Sequence, residues 1–228
     1  MSAQEAAVWS TVIIRGEGRN LLNPAVMSRL EADLRAADMD DAVAGIILTG
    51  AGDVFCGGLD VGALREGGDP VEFAAALVSL LKVFPTLTKP IVARVNGDAV
   101  ASGASLVAAC DYAAALVTAR VGTYEVSIGI WPMVAQVPLL KRLGARAAME
   151  NIGSGEPFSA ARAREVGLVN TVVEQGQLDD AVAHWLTAAA RGGAAVRAGR
   201  PSAYVLEQLP YEEALDRSLE MFAWMFRS

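Results

Sequence analysis

Gly45–Leu64 reads GIILTGAGDVFCGGLDVGAL. An apolar run, Ile46-Ile47-Leu48-Thr49, is followed at once by a loop in which a cysteine and two adjacent glycines sit between an aromatic residue and an aspartate. An uninterrupted apolar run of this length bounded by glycines has the composition of a strand buried on both faces. Gly57 and Gly58 then strip the backbone of side chains, so that a ligand can approach the main chain and the Leu59 amide is left available to a polar atom. The loop after a buried strand is where α/β folds place their binding groups.

Upstream, Val8–Arg15 is β-branched and aromatic and predicts a strand, and Pro24–Asp38 carries Val26, Leu30 and Leu34 at helical spacing. Asn23 is a good cap there, with Pro24 at the first helical position. Downstream, a helix is predicted over Val71–Phe84, a strand over Pro90–Val95, a short apolar helix over Gly103–Cys110 and a strand over Tyr112–Thr118. This alternation predicts an α/β architecture. From Val134 the pattern becomes helical, with Leu139, Leu140 and Leu143 and then Ala145–Ile152, interrupted by one more strand at Leu168–Val173. Helices over Leu178–Ala190, Val196–Leu209 and Tyr211–Phe226 complete the chain. The last carries Leu215, Leu219, Phe222, Trp224 and Phe226 on more than one stripe, which fits either packing within the chain or burial against another subunit.

The 228 residues, 53% hydrophobic and 20% charged, suffice for one substantial core. A formal net charge of −7 argues against a nucleic-acid partner, whose phosphates require a basic face. Cys56, Cys110 and the lone His184 do not make a metal set, and the two cysteines read as reduced, buried thiols rather than a disulfide. His184, in AVAHWL, reads as a surface or interface residue. The start, MSAQEAAVWS, has no basic segment leading into an apolar stretch, and the longest uncharged run, VSIGIWPMVAQVPLL, is too short to span a bilayer and carries two prolines. The expectation is a soluble cytoplasmic protein without membrane partners.

A second loop, VNGDAVASGASLVAACD, repeats the theme of the first. Ser102 and Gly103 open a helix whose first amides have no partner inside it. Two readings stand on the residues alone: two ordinary tight turns, or two amide donors, of Leu59 and Ser102, aimed at one carbonyl oxygen as an oxyanion hole.

The ordered set NLLNPAVMSRLEADL, GIILTGAGDVFCGGLDVGAL, KPIVARVNGDAVASGASLVAACD, YEVSIGIWP and GEPFSAARAREVGLVNTVV resembles the crotonase superfamily, the enoyl-CoA hydratase/isomerase group, from Val8 to about Val173. The resemblance implies a crotonase-like (ClpP/crotonase) spiral of repeated strand-strand-helix units in residues 1–175, which carry the acyl-CoA site. A helical trimerisation region, 176–228, follows. It further implies homotrimers or dimers of trimers and an acyl-CoA thioester as substrate, with coenzyme A part of that substrate and neither a cofactor nor a metal required. Relatives continue past the segment resembling EMFAWMFRS with a further helix and a basic, aromatic tail, so the region ending at Ser228 is expected to be shortened.

Carried over by position, the resemblance makes the Leu59 and Ser102 amides the oxyanion donors and Glu125, in GTYEVSIG, the acid–base group. Of the two glutamates that the family's hydratases use, the first position is Ser105, so one carboxylate is missing. Serine is no base near neutral pH, and the expected chemistry is an isomerase-like proton shift rather than efficient hydration. The alternatives are a crotonase-like decarboxylase or thioester hydrolase, or a non-catalytic acyl-CoA-binding member. A surface carboxylate at a strand end is the other reading of Glu125. Arg19, Leu21 and Leu22 are expected along the coenzyme A chain, with Arg19 either a phosphate partner or a solvated cation. Gly57, Gly58, Asp60, Gly103 and Ser105 are expected around the thioester, Asp60 also bonding loop amides, and Trp131 and Met133 at the acyl pocket, which they either line or fill.

Overall fold

Alternation along the strands divides the interior in two. In the computed structural model, which describes residues 7–226, Ile91, Ala93 and Val95 of one strand face the larger core while Val92 faces the smaller. Ala113 and Ala115 of the neighbouring strand share the larger side, and Ala114 and Leu116 the smaller. A strand's two-residue side-chain period requires this division of any sheet covered on both faces.

The principal sheet is wholly parallel, in the order β1 (Val8–Ile14), β2 (Val43–Gly50), β3 (Ile91–Val95), β5 (Tyr112–Leu116), β8 (Thr171–Val173). A second, smaller sheet holds β4 (Ala99–Val100), β6 (Arg120–Gly122) and β7 (Phe158–Ser159), with β4 parallel to β6 and β7 antiparallel to it. Isolated parallel bridges Leu22–Leu59 and Cys56–Ala99 join the short extended stretches of the earlier turns. Each turn of chain therefore runs a long strand in the main sheet, a short extended piece, then a helix, which is the expected strand-strand-helix spiral.

The helices are α1 (Glu17–Asn20), α2 (Pro24–Met39), α3 (Val61–Arg65), α4 (Pro70–Val83), α5 (Ser102–Ala109), α6 (Gln136–Ile152), α7 (Ala160–Glu165), α8 (Leu178–Ala190), α9 (Ala194–Leu206) and α10 (Tyr211–Met225). Asn23 caps α2 by accepting the Val26 amide at 2.9 Å, and Asp69 caps α4 by accepting the Val71 amide at 2.8 Å, each with a proline next in line. Gly144, at φ +72°, divides α6 into the two helical stretches that the sequence separates. On the opposite face of the sheet, Leu178, Val182 and Leu186 of α8 pack on Val92, Ala114 and Leu116. This helix, beyond residue 175, is therefore integral to the core.

Two expectations are corrected, and one that stood open is narrowed. The strand predicted over Leu168–Val173 begins only at Thr171, because the Leu168 and Val169 amides both bond back to Ala163 O and close α7. The strand over Tyr112–Thr118 stops at Leu116, where the Ala119 amide turns back to Leu116 O. The apolar residues of α10 are not buried within the chain: Leu215, Leu219, Phe222, Trp224 and Phe226 are all more than half exposed.

Candidate active site

The loop after β2 is held by side-chain amides rather than by a strand ladder. Asn96, buried at the end of β3, accepts the Gly50 amide at 3.0 Å and donates to Gly50 O at 3.1 Å and Gly52 O at 2.8 Å. Asn20, buried in the left-handed region at φ +57°, donates to Ala51 O at 2.9 Å and Val54 O at 2.7 Å. The Phe55 and Cys56 amides both reach Asp98 O at 3.1 Å, and the Val100 amide reaches Cys56 O at 2.9 Å. The loop is thus strapped to the strand that leads into α5.

From this anchorage the two candidate donors meet. A Cβ on Gly58 would fall 2.5 Å from the Ala101 methyl and 3.6 Å from the Ser102 nitrogen, so the peptide ahead of Leu59 lies against the first turn of α5. Gly103 is equally constrained, since a Cβ there would stand 2.5 Å from Cys56 O. Ala101 takes φ +54°, ψ −126°, a conformation costing a non-glycine residue roughly 1–3 kcal/mol, and it starts α5 so that the Ser102 amide points away from the helix. Among the described residues the Leu59, Ser102 and Gly103 amides have no acceptor, the last two as the first amides of α5, while Gly57, Gly58, Asp60 and Ala104 are bonded. Two amides without acceptors, on different loops, therefore lie close together.

The segment Arg19–Leu22 runs alongside. The Gly57 amide bonds to Arg19 O at 2.9 Å, the Leu22 amide to Gly58 O at 2.8 Å, and the Asp60 amide to Leu22 O at 2.9 Å. Leu22 is buried and its backbone is spent on this bridge, whereas Leu21 is half-buried. Asp60 caps α3 through the Ala63 amide at 2.9 Å. The Arg19 guanidinium, more than half exposed, pairs with Asp98 at 2.9 Å, and the other Asp98 oxygen accepts the Arg120 amide at 3.0 Å. Ser105 is fully buried and donates its hydroxyl to Ala135 O at 2.7 Å. It therefore anchors the 131–135 segment to α5 instead of presenting a polar group to a ligand. In that segment the Trp131 indole N–H donates to Gln136 Oε1 at 2.9 Å, and Met133 is 68% exposed. Neither side chain plugs the interior.

Glu125 opens the short helical turn Glu125–Ile128 just past β6. β6 pairs with β4, and the Ala101 amide bonds to Gly122 O at 3.0 Å, so the fold brings Glu125 to the same end of the small sheet as the two free amides. Burial pushes its carboxyl above the ordinary value of 4.5, against hydrogen bonds from its own amide and that of Tyr124, the latter at 2.9 Å. Asn151, with no exposed surface, holds the strand leading to it: its carbonyl accepts the Thr123 amide at 2.7 Å and its amide donates to Thr123 O at 2.8 Å and to Glu156 O at 2.8 Å. Cys56 and Cys110 are free and buried, and burial raises the Cys56 thiol to about 12. His184 is exposed on α8.

A family model described as enoyl-CoA hydratase/isomerase matches residues 3–225. The chain belongs to the enoyl-CoA hydratase/isomerase family. It is 31% identical over 172 residues to the peroxisomal bifunctional enzyme of Cavia porcellus, which covers 74% of this chain but only 23% of that protein. To the 2,3-dehydroadipyl-CoA hydratase of Escherichia coli it is 29% identical over 171 residues, 75% of this chain and 67% of that one. A crystal structure of an enoyl-CoA hydratase from Mycobacterium smegmatis superposes with a TM-score of 0.87 at 29% identity, over 93% of this chain and 85% of that one. Both the family match and this superposition extend past Val173.

Sequence reasoning missed the asparagines. Asn20, Asn96 and Asn151 shape the loops of this candidate site, and the available signal was an asparagine beside a glycine-rich loop or inside an apolar helix. Asp111 accepts the Ile91 amide at 2.9 Å. It also takes both arms of Arg200 at 2.7 and 2.9 Å and the Tyr204 hydroxyl at 2.6 Å, fastening α9 to the sheet. Nothing local in the sequence announces a bond between residues so far apart.

Proposed function

We propose that this chain acts on acyl-CoA thioesters, the Leu59 and Ser102 amides holding the thioester oxygen while Glu125 moves a proton between carbons. The observation carrying the reading is the pair of adjacent amides without acceptors, at the end of the fold where Glu125 also sits. When a proton leaves the carbon next to the thioester, charge passes to the carbonyl oxygen, and preorganised amides stabilise it at the moment it develops. A single carboxylate can take that proton and return it two carbons further on, which shifts a double bond into conjugation. Hydration needs a second group to hold and activate water. At the position where a second carboxylate would stand, Ser105 instead donates to Ala135 O. We therefore favour double-bond isomerisation over efficient hydration. The exposed apolar face of α10 supports self-association, and the reading includes a homotrimer.

The test is a paired assay of the native protein and Glu125→Gln, following hydration of a trans-2-enoyl-CoA and conversion of a 3-enoyl-CoA to its conjugated isomer. The expected result is isomerisation well above hydration, with both lost by roughly 10²–10⁴-fold in the variant. Thioester binding without either reaction in the native protein overturns the catalytic role of Glu125.

A further inference from the structure

β1 is the outer strand of the main sheet, and among the described residues no strand pairs with its free edge. Val8–Ile14 reads VWSTVII, with no proline and no charge, and past a register shift between Val8 and Trp9 its pairing with β2 is regular, so from Trp9 to Ile14 the edge carries no proline, charge or bulge to keep another strand away. Alternate backbone groups along such an edge face outward, ready to bond another extended chain. Beside it lies a groove of about 620 Å³, floored by Ser10–Ile13 and walled by the exposed residues Arg29, Asp33, Ala36 and Asp40 of α2 and its C-terminal end. These four recur at the spacing of one helical stripe.

The charges along this groove are ordered. Arg29 donates to Arg15 O at 2.5 Å, which places both arginines at the end where β1 finishes. The Val43 amide bonds to Asp40 O at 3.0 Å and Val43 pairs with Val8, which places Asp40 at the end where β1 begins. Among the described residues none of Arg15, Arg29, Asp33 and Asp40 is in an ion pair. A face with cations at one end and an anion at the other complements itself when a second copy is laid against it head to tail. We propose that β1 and α2 form a twofold face for a second copy of this chain, β1 pairing antiparallel with β1 about Thr11. Twofold contacts require a patch to be its own complement, as this one is. An unrelated peptide would have to match an extended edge and a reversed charge pattern together.

The inference does not depend on the catalytic reading, and its test uses covalent capture. Thr11 is exposed and would face its own counterpart across the axis, where opposed Cβ atoms stand about 4.5–5.5 Å apart. Thr11→Cys is treated with a short bis-maleimide; Cys56 and Cys110 are buried and do not compete. The same capture is run with Arg29→Asp, Asp40→Arg and both together, with folding of each checked by circular dichroism. Covalent dimers are expected from the Thr11→Cys protein, with a yield at least tenfold lower in each single charge reversal and restored in the double. Equal yields in all four proteins, no dimer in any, or no return in the double would overturn the proposal. Capture that appears only after residues 1–6 are deleted would overturn it too, by showing that the chain covers its own edge.

Discussion

Gly58→Ala tests the proposed oxyanion site most directly, because the added methyl lands 2.5 Å from the Ala101 Cβ at a position whose φ is +98°. Carbon atoms in ordinary contact stand about 3.5–4.0 Å apart, so one loop must yield by about 1 Å. Overpacking of this kind costs about 1–3 kcal/mol and the disfavoured backbone about as much again. The sum, about 2–6 kcal/mol, lowers the melting temperature by on the order of 10 °C in a chain of this size. Because the loops that must separate carry the two amides, the reaction should also slow by roughly 10²-fold, the penalty of moving an oxyanion donor out of place. Ala101→Gly removes the opposing methyl and relieves the positive φ of that residue, at the expense of a more flexible unfolded chain, and alone should be nearly neutral. The double variant should therefore regain much of both the stability and the rate lost by Gly58→Ala, a coupling read from thermal melts and steady-state kinetics of all four proteins. Loss of activity in Gly58→Ala that the double does not relieve would refute the wedge. Unchanged kinetics in a folded Gly58→Ala would refute the role assigned to the two amides.

Glu125→Gln should raise stability near neutral pH while lowering turnover by roughly 10²–10⁴-fold. Burial lifts the carboxyl's pKa in the folded state, so the folded chain holds the proton more tightly and stability falls as pH rises from about 4.5 through the raised value; melts at pH 4 and pH 7 should show the variant's advantage only at the higher pH. For the same reason the native rate should rise with pH through a midpoint above that of an ordinary carboxylic acid. Asp111→Ala leaves the Arg200 guanidinium, whose side chain is only 7% exposed, without its counter-ion, and should cost about 3–5 kcal/mol in urea denaturation, with α9 the first element to lose hydrogen-exchange protection. Asn151→Ala orphans the Thr123 amide and carbonyl, costing about 3 kcal/mol, and should lower kcat far more than it changes KM, since it loosens the strand ahead of Glu125 rather than the loops proposed to hold the thioester.

Much of the scaffold was legible because it is written locally. Strands such as Ile91–Val95 and helices such as Leu178–Ala190 announce themselves by composition and period, and Asn23-Pro24 marks a helix start almost to the residue. The short strands Ala99–Val100, Arg120–Gly122 and Phe158–Ser159 were not legible, since pieces of two or three residues carry no period and form only because the loops around them are pinned. At the site, the glycines of Gly57-Gly58 pointed to exposed backbone, but the partner that makes Gly58 obligatory is the Ala101 methyl, 43 positions on in the sequence. Arg19 illustrates the converse: its charge was visible, and its neutralisation by Asp98 was not. Ser105 could be seen to lack a carboxylate, while its tie to Ala135 depends on how a later loop folds back.

The three buried asparagines separate two kinds of specification in this chain. Strand pairing fixes the sheet collectively, so that no single residue sets where β2 lies. The curvature of the loop after it rests instead on individual side-chain amides, from Asn20 and Asn96, and the approach to Glu125 on that of Asn151. A frame that is collectively determined tolerates substitution, whereas a loop fastened by discrete clasps can be reshaped by moving one clasp. Functional diversification on such a fold is then a matter of relocating a few carboxamides while the sheet and the hydrophobic layers behind them stay unaltered.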